Sequence, residues 1–104
     1  MIKDNPKIQQ LVQIFRDKPN VFEKTINMPL YYIKFFKSKS PFSWRYMYVK
    51  DKNFMHKMLI EVRKNGTHTF EIYYVREIYF IKWLNKCGFP SVDHFLDYLI
   101  YQII

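Results

Sequence analysis

Apolar residues recur along this chain at two spacings, and the change from one to the other divides it into helical and extended stretches. Ile8, Leu11, Val12 and Phe15 follow at three- and four-residue intervals, which places them on one stripe of a helix. Asn5 stands at the N-cap and Pro6 at the first helical position, where a missing N–H costs nothing. Asp17-Lys18-Pro19 stops that helix. Asn20, followed three residues later by Glu23, reads as a capping box and predicts a short second helix over residues 21–27.

From Met28 onward the spacing becomes two. Residues 30–36, after Pro29, predict an aromatic-rich edge strand broken by Lys37-Ser38-Lys39-Ser40-Pro41. Residues 44–49 alternate and run into a turn at Lys50-Asp51-Lys52-Asn53. Residues 55–63 and 67–75 flank Asn65-Gly66, a hairpin signal. A two-residue loop would set Ile60 opposite Glu71 and throw the apolar faces out of phase. A three-residue loop, Lys64-Asn65-Gly66 with Gly66 left-handed, sets Val62 opposite His68, Ile60 opposite Phe70 and Met58 opposite Ile72. The rival reading of this stretch is a helix over 53–64 closed by Gly66.

The helical period returns after Val75. Residues 77–87 form a helix ended by Gly88, and Ser91 caps a last helix with Asp93 in its first turn. Val92, Phe95, Leu96, Leu99 and Ile103 form the stripe expected to be buried there. Tyr98, Ile100, Tyr101 and Ile104 leave that helix apolar nearly all round, so it is either deeply buried or covered by a partner. Phe95, Tyr98, Leu99, Tyr101 and Ile104 are therefore candidate interface residues, and homodimerisation is one consequence. The expected fold is α+β: one or two N-terminal helices, a three- to four-stranded antiparallel meander and two C-terminal helices. Residues 1–104 make a single domain.

Extending the hairpin register through the Lys50–Asn53 turn yields two sheet faces. Met47, Val49, Phe54, Met58, Ile60, Val62, Phe70, Ile72 and Tyr74 make the expected core face. Trp44, Tyr46, Tyr48, Lys57, Leu59, Arg63, Thr69 and Tyr73, with Glu61 and Glu71, make the other. Aromatic rings at alternate positions beside cations form a stacking platform for bases, unless helices cover that side too and make it core.

Charge changes the picture more by its location than by its total of +8. Phe, Tyr, Ile, Asn and Lys supply 50 of the 104 residues, and lysines outnumber arginines 13 to 4, the usage of an AT-rich genome such as that of a phage, virus, organelle or microbe. Such bias spreads lysine evenly. Residues 34–64 nevertheless hold nine basic groups against two acidic ones, net +7. The basic groups are Lys34, Lys37, Lys39, Arg45, Lys50, Lys52, Lys57, Arg63 and Lys64. A cationic meander points to non-enzymatic binding of RNA or DNA, through these residues with Trp44, Tyr46 and Tyr48. The reading from another class is a protein-binding module or inhibitor of an acidic host protein, dimerising through its last helix.

Other chemistry is poorly supported. Two glycines leave no room for a phosphate-cradling glycine loop, and the single Cys87 excludes an internal disulfide and a multi-thiolate metal site. His56, His68 and His94 lack the spacing of a zinc pair, and His56 and His68 are expected on the core face near its ends. No metal or cofactor is expected. A small metal-independent ribonuclease is the remaining enzymatic alternative, but no acid–base set is marked for it. Glu61 and Glu71, near Lys57 and Arg63, read as cross-strand ion pairs. The apolar stretches at 78–84 and 95–104 fall short of the roughly 18–20 residues that span a bilayer. Met-Ile-Lys-Asp-Asn-Pro has no signal-peptide core behind it, so a cytoplasmic protein without a membrane role is expected.

Overall fold

Alternating side chains from Thr25 onward build one sheet of five antiparallel strands, and the described helices pack on one face of it. The computed structural model describes residues 2–17, 24–37, 45–73 and 76–104. A single 3₁₀ turn (Ile2–Asp4) leads into helix α1 (Pro6–Asp17). Strands β1 (Thr25–Asn27), β2 (Tyr31–Lys37), β3 (Arg45–Asp51), β4 (His56–Val62) and β5 (His68–Ile72) lie in sequence order. Helices α2 (Glu77–Lys86) and α3 (Val92–Ile103) complete the α+β chain.

The helix ends follow local chemistry. Lys7 donates its backbone N–H to Asn5 Oδ1 at 2.9 Å, and His94 donates its own to Ser91 Oγ at 3.2 Å. Gly88, at φ +99, ends α2 while the Phe89 N–H reaches the Leu84 carbonyl at 3.0 Å. At the far end of α1, Arg45 donates from β3 to the carbonyls of Phe15 and Arg16. The last carbonyls of a helix have no partner within it, so this side chain both satisfies them and sets a cation against the negative end of the dipole.

The core lies between the helices and the inner face of the sheet. Tyr31, Ile33, Phe35, Met47, Val49, Met58, Ile60 and Val62 are buried there. Ile8, Leu11, Val12 and Phe15 of α1, Phe80 and Leu84 of α2, and Phe95, Leu96, Leu99 and Ile103 of α3 are buried against them. Phe15 meets Phe35 edge-on with ring centres 6.2 Å apart, and Tyr31 meets Trp83 at 5.9 Å and Phe89 at 6.2 Å. Burial and Tyr98 together hold the Tyr31 hydroxyl well above its usual pKa.

The β4–β5 hairpin has the three-residue register: Val62 pairs with His68, Ile60 with Phe70 and Met58 with Ile72. Gly66 takes φ +91 and its N–H bonds the Arg63 carbonyl at 3.0 Å. The rival helix over 53–64 is not formed. Three expectations are corrected. Residues 25–27, assigned to a second helix, form β1, where Thr25 and Ile26 pair with Lys34 and Ile33; β-branched side chains and a waiting strand edge outweigh the capping signal. Residues 21–23 of that helix fall outside the described residues, and Lys24 is in neither a helix nor a strand. Strand β2 is consequently interior rather than an edge, and the meander has five strands instead of three or four.

The third correction concerns the β3–β4 turn. Asp51 Oδ1 accepts the N–H groups of Asn53 and Met55, both at 2.9 Å, and Phe54 takes φ +65. The pairing shifts between Val49 and Lys50, so that Lys50 stands opposite His56. The irregularity moves His56 off the core face to the outer one. Lys57 turns to the helix side instead, 3.5 Å from Asp51 and over the Trp83 ring at 5.8 Å. Phe54, expected in the core, is 71% exposed and meets Tyr32.

Candidate nucleic-acid interface

Strand alternation sends Tyr32, Lys34 and Phe36 of β2 to the outer face, opposite Lys50, Tyr48 and Tyr46 of β3. These side chains make one connected surface. Phe36 and Tyr46 stack with centres 4.7 Å apart and planes 10° from parallel. Tyr48 sits at the middle, 5.4 Å from Phe36, 6.2 Å from Tyr32 and 5.4 Å from the His56 ring. His56 in turn meets Tyr73 at 5.4 Å, and the Lys50 ammonium lies 4.9 Å over the Tyr48 ring. The aromatic residues in this row are half-buried, and Lys34 is exposed. Among the described residues, every ring contact between a helix and a strand is made on the inner face.

The environment tunes these groups in one direction. Burial raises the Tyr48 hydroxyl pKa, with Lys50 opposing and Tyr32 adding to it. Burial also raises that of Tyr46, where Glu61 adds and Arg63 opposes. Both remain neutral hydrogen-bonding phenols at neutral pH. His56 is held below its ordinary value, first by burial and then by Lys50, and so favours the uncharged ring.

The predicted site residues divide among four places. Tyr46, Tyr48, Lys34 and Lys50 share the outer face, and Arg63 stands at its edge near Tyr46. Lys37, Arg45 and Lys64 lie at one end of the sheet with Arg16. Lys52 is exposed in the β3–β4 turn, and Lys57 turns toward the helices beside Asp51. Burial alone would raise the Asp51 carboxyl; N–H bonds from Met55 and Asn53, with Lys57, bring it below its usual value. Trp44 and Lys39 lie outside the described residues. Tyr32, Phe36 and His56 belong to the outer surface although the sequence pattern did not single them out for it. The polar Lys34 between two apolar neighbours was the available signal for Tyr32 and Phe36.

The proposed interface on α3 is corrected. Phe95 and Leu99 are fully buried in the core, so no partner reaches them. Tyr98 is half-buried against Phe89, with ring centres 5.4 Å apart. Only Tyr101 and Ile104 of that group are exposed, at 74% and 70%. Burial raises the Cys87 thiol above its usual pKa, against the thiolate that reactivity requires. Among the described residues, no three His, Cys, Asp or Glu side chains come together as a metal site would need, and no helix is long and apolar enough to cross a membrane. Compared with protein-family models, curated proteins and solved structures, the chain matches none of them.

Proposed function

We propose that this protein binds single-stranded nucleic acid, without catalysis, on the outer face of its sheet. The observation that carries the reading is the connected row of Phe36, Tyr46, Tyr48 and Tyr32 beside Lys34 and Lys50. Bases stack on aromatic rings whatever their identity, and ammonium groups neutralise the phosphates between them. A base arriving on Tyr48 displaces the Lys50 ammonium, which then meets a phosphate. Double-stranded nucleic acid keeps its bases stacked inside and offers nothing to these rings. The +7 charge of residues 34–64 supports the same reading, and the cytoplasm is the compartment in which such a protein would meet RNA.

The test is titration of labelled single-stranded RNA and DNA at several salt concentrations. Binding that weakens steadily as salt rises supports the proposal; binding that is absent at low salt, or indifferent to salt, rejects it. A second reading has its own observation. Ile78, Tyr79, Tyr101 and Ile104 are each more than half exposed on or beside α2 and α3, and suit a protein partner or a second copy of the chain. A dimer mass in light scattering at micromolar concentration supports the second copy, and a monomer mass rejects it.

A further inference from the structure

Where α1 ends beside the β4–β5 turn, the surface opens into a cleft of about 370 Å³. The described residues lining it are Arg16, Lys37, Arg45, Val62, Arg63 and Lys64: five cations around one valine. Three parts of the fold bring them there. Arg16 comes from the last turn of α1, Lys37 and Arg45 from the paired ends of β2 and β3, and the rest from the end of β4 and its turn. Gathering like charges costs energy that a bound anion recovers. Among the described residues lining the cleft none is acidic; Asp17 accepts two side-chain bonds from Gln13 at 3.0 Å, and Glu61 lies on the outer face near Tyr46.

The cleft is also built rather than merely charged. Arg45 is tied to the carbonyls of Phe15 and Arg16, and Arg16 to the carbonyl of Gly66, so both planar guanidinium groups are oriented before any ligand arrives. Oriented guanidinium groups suit the tetrahedral oxygens of phosphate, and exposed lysines at the rim supply charge without geometry.

We infer that this cleft is a phosphate site, apart from the aromatic row, and that it takes the doubly charged phosphate at the end of a nucleic-acid strand. A backbone diester carries one charge, whereas a terminal phosphomonoester carries nearly two at neutral pH, and a cationic cleft gains more from the second. The Lys37–Arg45 pair follows the Phe36–Tyr46 pair along the strands but sits on the helix side, so the end of a strand laid along the rings turns over the edge at Arg63 to reach the cleft. The strand terminus rests on the nucleic-acid reading; the phosphate site does not.

Two arms test this on the full chain. In the first, inorganic phosphate is titrated at constant ionic strength against chloride and followed by thermal shift and ³¹P resonance. A saturable response to phosphate is expected, weakened about tenfold in the double variant Lys37→Ala, Lys64→Ala, whose residues are both exposed. In the second, one short single strand is compared with its ends phosphorylated or bare. One phosphorylated end is expected to bind about tenfold more tightly, and the variant to lose the difference. Equal response to phosphate and chloride, or a phosphate response unchanged in the variant, overturns the site. A phosphate response without strand binding upholds the site and rejects the aromatic row. Strand binding indifferent to terminal phosphate does the reverse for the strand terminus.

Discussion

The two faces of the sheet are built from the same strands in alternate positions, yet they answer to different physics. Ile33, Phe35, Met47, Val49, Met58 and Ile60 point inward, are fully buried, and carry no ionisable group. Tyr32, Lys34, Phe36, Tyr46, Tyr48 and Lys50 point outward from neighbouring positions, half-buried or exposed, with the Lys50 ammonium over the Tyr48 ring. Stability alone accounts for the inner face, since burying an aliphatic side chain is worth about 1.5–3 kcal/mol. On the outer one, ring-on-ring packing contributes too, but over half-buried surface. A sheet face meant only for solvent needs polar side chains, and a face meant only for packing does not place lysines beside its rings.

The largest expected difference is in stability. Ile60→Ala removes buried apolar volume and is expected to cost about 2–5 kcal/mol in urea unfolding, with strand affinity of the folded protein unchanged. Tyr48→Ala on the outer face is expected to cost less in the same assay. If the outer substitution destabilises as much as the inner one, the contrast between the faces disappears.

Reversing the charges of Lys34 and Lys50 probes the outer face alone. The double variant Lys34→Glu, Lys50→Glu is expected to flatten the slope of log affinity against log salt by about 0.7 for each phosphate that is no longer neutralised. Unfolding midpoints are expected to stay near that of the parent. An unchanged salt slope places the phosphates elsewhere.

Acid sharpens the comparison further. His56 stands on the outer face with its pKa below the ordinary 6.5, so the unfolded chain binds its proton first. Its contribution to stability is complete above the ordinary value and is lost as pH falls through it toward the lowered folded one. Replacing His56 by Gln is expected to remove that part of the acid dependence, and an NMR titration of His56 is expected to show a midpoint below that of a free histidine. A midpoint at or above the ordinary value contradicts this placement of the ring.

The smallest effect concerns the hairpin shared by both faces. Gly66→Ala places a Cβ in ordinary contact with Arg16, 3.8 Å away, but at φ +91. The left-handed backbone is expected to cost about 1–2 kcal/mol, read as a lowered unfolding midpoint.

How much of this was legible beforehand depends on the kind of signal. The β4–β5 register followed from Ile60, Phe70, Met58 and Ile72 having to share a side, with Gly66 as the residue able to turn the chain. Both C-terminal helices followed from the stripes and from Ser91 and Gly88. Strand β1 did not, because three residues are too few for a pattern and Asn20 with Glu23 signalled a helix. The shift at Val49–Lys50 has no composition of its own; it exchanges the sides of His56 and Lys57 through a turn whose left-handed residue is Phe54, not glycine. Arg45 looked like one more cation in a basic run. Its position shares a side with Met47 and Val49, which sends it to the end of α1. The placement of the described helices on one face could not be read from any single element, since it depends on how all of them pack.

The most direct measurement is the affinity of the parent and of the double variant Tyr32→Ala, Tyr48→Ala for one unphosphorylated single strand in the same buffer, with folding checked by circular dichroism. Stacking on aromatic side chains is worth about 1–3 kcal/mol per base, so at least a tenfold loss of affinity is expected in a variant that remains folded. Equal affinities in two folded proteins would contradict binding on the aromatic row.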